Sequence, residues 1–163
     1  MVYATVLIAP IRLFKILLLF TTLLINFNSQ AYDVSTHKAI ILEGTGESTN
    51  VGKNYIWDGT QRLTNNAYFA LRENGFEKDN IRFLSAGSLQ NDLDGNGRFD
   101  DVVTANLSSL EESISNWAGD AEDVVIYLIG NAGEGSLEIS ETEILHRVEL
   151  KKWLDVLQTK MSG

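Results

Sequence analysis

The chain has 163 residues with 13 basic and 22 acidic side chains, and its formal net charge is −9. This length fits one globular domain. The acidic balance excludes nucleic-acid binding, which needs clustered Lys and Arg to displace counterions from phosphates. Because the sequence contains no cysteine, it also excludes a disulfide framework, a thiolate metal site and a cysteine nucleophile within this chain.

Residues 1–31 have the pattern of a secretory signal peptide. Arg12 and Lys15 precede the apolar run 16–27, and small residues end the segment. The run has 12 residues, whereas a membrane-spanning helix needs about 18 to 20. We therefore predict cleavage after residue 31, an exported protein in the periplasm, outside the cell or on its surface, and a folded domain over residues 32–163. The alternatives are an over-long start or an uncleaved anchor, through which alone the chain would contact a membrane.

Short apolar runs alternate with helical spacing along the rest of the chain. Residues 38–42 (KAIIL) predict a buried first strand, and residues 57–73 predict a helix that ends at an Asn-Gly pair. Residues 81–84 (IRFL) predict the second strand. Large apolar residues then recur at steps of three and four over residues 107–117, which predicts a second helix.

The third predicted strand, residues 124–129 (VVIYLI), is the most apolar segment after the leader. A continuous apolar run rich in β-branched residues predicts a central strand covered on both faces. Alternation over residues 136–140 predicts a short edge strand, and residues 150–157 predict a final helix. This order predicts an α/β fold with a mostly parallel sheet, helices on both faces and ligand sites at the carboxyl ends of the strands.

Three loops follow the predicted strands, at residues 43–50, 85–101 and 130–135. The glycine-rich part of the first loop (GTGES) lacks the lysine of a P-loop and the third glycine of a dinucleotide site, so we predict an ordinary turn there. His37 and His146 have no second histidine nearby, and we predict that both lie on the surface without a catalytic role. The sequence has no Gly-x-Ser-x-Gly elbow for a serine nucleophile.

Residues 92–101 (DLDGNGRFDD) carry the sharpest chemical signal in the sequence. Asp92, Asp94, Asn96 and Asp100 occupy positions one, three, five and nine of a calcium-loop pattern, and oxygen ligands at this spacing suit Ca²⁺. Position twelve, which should be a bidentate glutamate, is a valine. We therefore predict either an incomplete calcium site or a solvated turn, since Asp, Asn and Gly also form turns.

Several segments in the same order resemble the bacterial caspase-like cysteine peptidases, which are related to legumain and more distantly to gingipains and caspases. The resemblance covers residues 38–163 and implies a caspase-like three-layer α/β/α sandwich. It is carried by residues 38–41 (KAII), 57–60 (WDGT), 92–97 with 100–101, 123–127 (DVVIY), 133–135 (GEG), 140–145 (SETEIL) and 153–155 (WLD).

The family resemblance implies a histidine–cysteine dyad, with the histidine just after the third strand. Asn131 stands in the histidine's position, with Gly133 close by, and the chain ends at Gly163 before the strand that would carry the nucleophile. The resemblance thus implies a C-terminally incomplete, inactive domain, a pseudoenzyme with no catalytic residues of its own. It would bind a peptide or protein and pair with another chain along its open sheet edge.

Two alternatives remain at this stage. One is a fragment of an active cysteine endopeptidase whose nucleophile lies beyond residue 163. The other is a calcium-dependent structural module without a peptide site.

Overall fold

The computed structural model describes residues 36–44 and 55–161. The predicted signal peptide and most of the first ligand loop lie outside the described residues. The described part is mixed α/β. Its elements, in chain order, are β1 (Lys38–Glu43), α1 (Tyr55–Glu73), β2 (Ile81–Ser85), β3 (Val102–Thr104), α2 (Leu107–Ser115), β4 (Val124–Ile129), β5 (Ala132–Gly133), β6 (Ser136–Glu138), β7 (Ile144–His146) and α3 (Arg147–Met161). Short 3₁₀ helices precede β2 and β4.

The main sheet has the order β3-β2-β1-β4, and all its strands are parallel. The predicted positions of the three long strands are therefore confirmed. The prediction that residues 124–129 form the central strand is wrong, because β1 lies in the middle and β4 lies at one end. Val125 in β4 is 41% exposed, whereas the apolar residues of β1 are fully buried.

Helices cover both faces of the main sheet. On one face, Ala39 and Ile41 of β1 pack with Tyr68 of α1. On the other, Ile40 and Leu42 pack with the apolar sides of α2 and α3. Alternate side chains of a strand point to opposite faces, so β1 supplies both apolar layers. This arrangement confirms an α/β fold with a parallel sheet between helical layers.

Helix α1 buries a side centred on threonines and a tyrosine, and of its regularly spaced apolar residues only Ala67 and Leu71 pack beside that side. Leu63 is 49% exposed, while Thr60, Thr64 and Tyr68 are buried. Thr64 Oγ1 donates to the Thr60 carbonyl oxygen at 3.0 Å, so its hydroxyl is paired inside the helix. A threonine with its hydroxyl bonded in this way can occupy a buried helix face.

A second, antiparallel sheet has the order β5-β6-β7. The predicted edge strand at residues 136–140 is wrong in its placement, because β6 is the middle strand of this small sheet. Strands β3, β5 and β7 have three residues or fewer, which is too short for a periodic pattern to reveal. Within residues 36–44 and 55–161, no helix is long and apolar enough to cross a membrane.

Candidate functional site

The carboxyl ends of β1 and β2 meet in a buried polar pair. Glu43 and Ser85 are register partners in the two strands, and each is 1% exposed. Ser85 Oγ donates to Glu43 Oε2 at 2.5 Å, and it accepts from the Gly87 backbone N–H at 3.0 Å. The pair ties the last residue of the central strand to the loop that follows β2.

Burial raises the pKa of Glu43 above its ordinary value of 4.5, although hydrogen bonds from Ser85 and Thr64 oppose the shift. A buried carboxyl group with a raised pKa at the carboxyl end of a parallel strand is a common feature of functional sites. The sequence analysis missed Glu43. The sequence does show an acidic residue at the end of an uninterrupted apolar strand, which could have drawn attention to Glu43. Its pairing with Ser85 depends on the register of the two strands.

Gly44 brings the hairpin of the small sheet against the end of β1. Its backbone N–H donates to the Ile129 carbonyl oxygen at 2.7 Å. A Cβ atom at this position would lie 2.5 Å from the Glu138 carbonyl oxygen, so only glycine fits without movement of the backbone. The hairpin that carries Asn131 is thereby fixed directly beside the carboxyl end of the central strand.

Asn131 is exposed and lies just beyond the end of β4. Its Nδ2 donates to Glu138 Oε2 at 3.0 Å, and its carbonyl oxygen accepts from the Glu138 backbone N–H at 2.9 Å. Gly133 pairs with Ser136 across the β5–β6 hairpin. The amide of Asn131 therefore presents a donor to a carboxylate, and an amide cannot take a proton near neutral pH.

The two histidines lie in different environments. The prediction that His37 lies on the surface is wrong, since it is 5% exposed. Its Nε2 lies 3.5 Å from Asp123 Oδ2, and its ring packs edge-on against Phe76. His37 precedes β1, at the end of the sheet opposite Asn131. His146 is exposed, as predicted, and its backbone N–H donates to the Glu149 carboxylate at 3.0 Å.

The acidic loop brings three of the four predicted metal ligands together. One carboxylate oxygen from each of Asp92, Asp94 and Asp100 lies within 4.8 Å of the others. Asp92 accepts from the backbone N–H groups of Asn96 and Gly97 at 3.0 and 2.8 Å. Gly97 has a φ of 85°, in the left-handed region that favours glycine.

Asn96 stays within the turn. Its Nδ2 donates to Asp94 Oδ2 at 2.7 Å, and its Oδ1 accepts from the Arg98 backbone N–H at 2.9 Å. Val103, at the twelfth position of the pattern, lies in β3 and offers no side-chain oxygen. The oxygen-rich part of the site is thus formed by the three aspartates.

Asp100 links this loop to the core of the domain. It is buried, and its Oδ2 accepts from the Leu93 backbone N–H at 2.6 Å. Its other oxygen forms an ion pair with Lys78, which raises the pKa of Lys78. The ammonium group of Lys78 therefore supplies one positive charge to a cluster of three carboxylates.

A cavity of about 240 Å³ lies beside this ion pair, with Tyr68, Lys78 and Asp100 in its lining. The Tyr68 hydroxyl is buried and has no hydrogen-bond partner among the described residues. Burial and the negative charge of Asp100 raise the pKa of Tyr68. Sequence analysis missed this tyrosine, because nothing in its local pattern separates it from an ordinary core aromatic residue.

The described site residues fall into two groups, the Asn131 hairpin with Glu43 and Ser85, and the aspartate loop with Lys78 and Tyr68. A scan against protein-family models and a search of the curated proteins found no match for this chain. The first group holds an amide, Asn131, that donates to a carboxylate, and the second is an oxygen-lined loop whose ligand type suits a cation.

Proposed function

We propose that this chain is a catalytically silent, exported domain of the bacterial caspase-like, legumain-type peptidase family, and that it acts by binding a peptide or protein. The parallel sheet between helical layers agrees with the fold that the resemblance implies. The segments that carry the resemblance lie in order along β1, α1, the aspartate loop, β4, the hairpin and α3.

The observation that carries the proposed loss of activity is the bonding of Asn131. In the family this position would hold a histidine that moves a proton between a cysteine thiol and the substrate. Here an amide donates to Glu138, and the chain contains no cysteine. Without a thiolate and a proton carrier, peptide hydrolysis by the family's route has neither its nucleophilic step nor its protonation step.

We expect the purified chain to leave fluorogenic peptides with asparagine or arginine before the scissile bond uncleaved. Asn131→His should also stay at background, because groups that act as a unit do not restore activity singly. Loss of a nucleophile or base alone costs about 10⁶-fold in kcat. Glu138→Gln is the matched control, since it alters the partner of Asn131 without adding a base. Turnover that co-purifies with the unmodified chain and persists with inhibitors of contaminating proteases would contradict the proposal.

A second proposed function is calcium binding by Asp92, Asp94 and Asp100. The convergence of three carboxylate oxygens supports it, since hard oxygen ligands are those that Ca²⁺ prefers. The residues present fit such an ion in charge and ligand type, but they form a partial set of ligands. Bound calcium would neutralise the aspartates and hold the loop against the core through Asp100, a structural role with no step in catalysis.

The ion pair between Lys78 and Asp100 allows a specific test of calcium binding. A cation that binds Asp100 must compete with the Lys78 ammonium group, so Lys78→Met should strengthen calcium binding several-fold. Asp92→Asn should weaken it at least tenfold, and Glu111→Gln, at an exposed acid on α2, should change it little. Isothermal titration with Ca²⁺, and with Mg²⁺ for comparison, measures these affinities. Equal binding by the wild type and Asp92→Asn would exclude this site.

A further inference from the structure

The cavity beside the ion pair of Lys78 and Asp100 lies at the amino ends of β2 and β3. Strand β3 begins opposite Phe83, the third residue of β2. The first two residues of β2 therefore border the cavity on this side, and the offset between the two strands creates it. Both strands and the loop that joins them lie within the described residues. The apolar part of the lining consists of Ile81, Phe83, Leu93 and Val103.

The hydroxyl group of Tyr68 is a buried polar group in this lining. The Tyr68 side chain is 2% exposed, and its hydroxyl has no hydrogen-bond partner among the described residues. The charges of Asp100 and Lys78 act on the pKa of Tyr68 in opposite directions, so the hydroxyl lies close to this ion pair. A buried hydroxyl without a partner is unfavourable. We therefore expect an occupant of the cavity to form a hydrogen bond with it.

The two basic groups of the lining already have partners. Lys78 forms an ion pair with Asp100, and Arg82 forms one with Glu112. The Arg82 guanidinium group also lies 4.8 Å from the centroid of the Trp117 ring. Among the described residues, the lining thus offers no unpaired basic group to an anionic ligand.

Two acidic groups of the lining, Asp79 and Asp101, are exposed. Neither carboxylate forms a hydrogen bond or an ion pair with the residues that the structure describes. Asp101 raises the pKa of Lys78 through its charge alone, without a hydrogen bond. The two carboxylates and the net charge of −9 therefore attract a cation to the exposed side of the cavity.

The volume of the cavity favours a small organic occupant. One molecule of liquid water takes up about 30 Å³, so a single water or a bare metal ion does not fill 240 Å³. Several waters would meet four apolar side chains, which give them no hydrogen bonds. The volume is also below the roughly 300 Å³ at which pockets for drug-sized ligands begin.

We infer that this cavity binds a small primary amine whose short apolar body carries a hydroxyl group at its other end. The ammonium group pairs with Asp79 and Asp101. The body packs on Phe83 and Leu93, and the hydroxyl bonds to Tyr68. The inference depends neither on the resemblance to peptidases nor on calcium, because the cavity lies at the amino ends of the strands and its acids at the exposed side are not the proposed calcium ligands.

The test uses the whole chain in EDTA, which removes calcium, and tyramine as the probe. Tyramine is a rigid amine with a phenolic hydroxyl, and NMR titration measures its affinity. We expect saturable binding with a dissociation constant of about 1 mM or below. Phenethylamine, which lacks the hydroxyl, should bind about three- to tenfold more weakly. The analogue 3-(4-hydroxyphenyl)propanoate, with a carboxylate in place of the ammonium group, should bind more weakly by about tenfold or more.

Tyr68→Phe separates the proposed hydrogen bond from a role of Tyr68 in packing. The substitution removes only an unpaired hydroxyl, so the fold is retained. It should weaken tyramine binding by about three- to tenfold and leave phenethylamine binding unchanged, because only tyramine has a hydroxyl to lose its partner. An equal loss of affinity for both amines would contradict the inference.

A pair of double variants tests the acidic groups. Asp79→Asn with Asp101→Asn should weaken the binding of both amines by about tenfold or more. Glu73→Gln with Glu111→Gln removes the same charge at exposed positions outside the lining and should bind both amines as the wild type does. Three further results would overturn the inference: no saturable binding of tyramine, equal binding of the carboxylate analogue, or equal weakening by the two double variants.

Discussion

Gly44 and Gly59 show how differently two glycines of one chain are constrained. A Cβ atom at Gly44 would lie 2.5 Å from the backbone oxygen of Glu138, whereas at Gly59, inside α1, it would meet no atom within 4 Å beyond the nearby backbone of that helix. A flexible side chain can rotate away from an added Cβ atom, but a backbone oxygen in a strand moves only if the strand moves. The space around each Cβ position therefore decides whether a Gly→Ala substitution raises or lowers the free energy of unfolding.

We expect Gly44→Ala to lower the free energy of unfolding by about 1 to 3 kcal/mol, because it forces the hairpin away from β1. Gly59→Ala should raise it by about 0.5 to 1 kcal/mol, since alanine loses less backbone entropy in a helix. Urea denaturation followed by circular dichroism measures both. Equal effects of the two substitutions would contradict the close contact at Gly44.

Glu43 should make the stability of the domain depend on pH in an unusual direction. Because burial raises its pKa in the folded state above the ordinary value of 4.5, the folded protein retains a proton that the unfolded protein releases between those two pKa values. The contribution of Glu43 to the free energy of unfolding therefore falls as pH rises through that window.

Glu43→Gln, which keeps an acceptor for Ser85, should remove this fall and leave the unfolding free energy higher than that of the wild type at neutral pH. Denaturation at a series of pH values from 4 to 8, on the order of the range where a shifted carboxyl group titrates, measures the difference between variant and wild type. Glu111→Gln on exposed α2 is the control and should leave the pH profile unchanged. If the unfolding free energies of Glu43→Gln and the wild type changed with pH in the same way, the Glu43 carboxyl would not cause the pH dependence.

At the scale of a single element, α2 depends on caps at its first turn. Asn106 Oδ1 accepts from the Ser109 backbone N–H at 2.8 Å, and Ser109 Oγ accepts from the Asn106 backbone N–H at 3.2 Å, which is a capping box. Glu143, distant in the sequence, accepts from the Leu107 backbone N–H at 2.9 Å. The start of α2 is thus held locally and also by the turn that precedes β7.

Asn106→Ala should lower the free energy of unfolding by about 1 kcal/mol, because backbone donors at the helix start lose their acceptor. Ser108→Ala, at an exposed position of the same turn, is the matched control and should change stability by less than about 0.5 kcal/mol. Thermal unfolding of both variants compares them directly. A loss with Ser108→Ala as large as that with Asn106→Ala would contradict the assignment of the cap.

At the scale of the whole molecule, calcium binding to the aspartate loop should raise overall stability. Leu93 of this loop packs with Tyr68 of α1 and Phe83 of β2, and Asp100 pairs with Lys78, just before β2. At a Ca²⁺ concentration one hundred times the dissociation constant, linkage adds about 2.7 kcal/mol to the free energy of unfolding. We expect the melting temperature to rise with Ca²⁺ and to change little with NaCl at matched ionic strength. A concentration of about 10 mM Ca²⁺ exceeds the dissociation constants of weak extracellular calcium sites. An unchanged melting temperature at that concentration would contradict calcium binding by this loop.

The sequence by itself determined the main strands, the helices and the α/β class, because these depend on local apolar spacing and on turn residues such as those after α1. It also determined the absence of a cysteine nucleophile and the spacing of the aspartates. These features depend on residues close together in the chain. For such residues, the separation in the sequence largely fixes the distance in space.

Only the tertiary structure decided which strand is central, which polar groups are buried, and which charges meet. Every residue of β4 is apolar or aromatic, and such a composition is typical of a central strand. It therefore predicts the wrong position for β4, which lies at one end of the described sheet. The pairing of Glu43 with Ser85 depends on strand register, and that of Lys78 with Asp100 on the fold of a loop. Such contacts join residues far apart in the chain, and their formation depends on the packing of the whole domain, which no local pattern encodes.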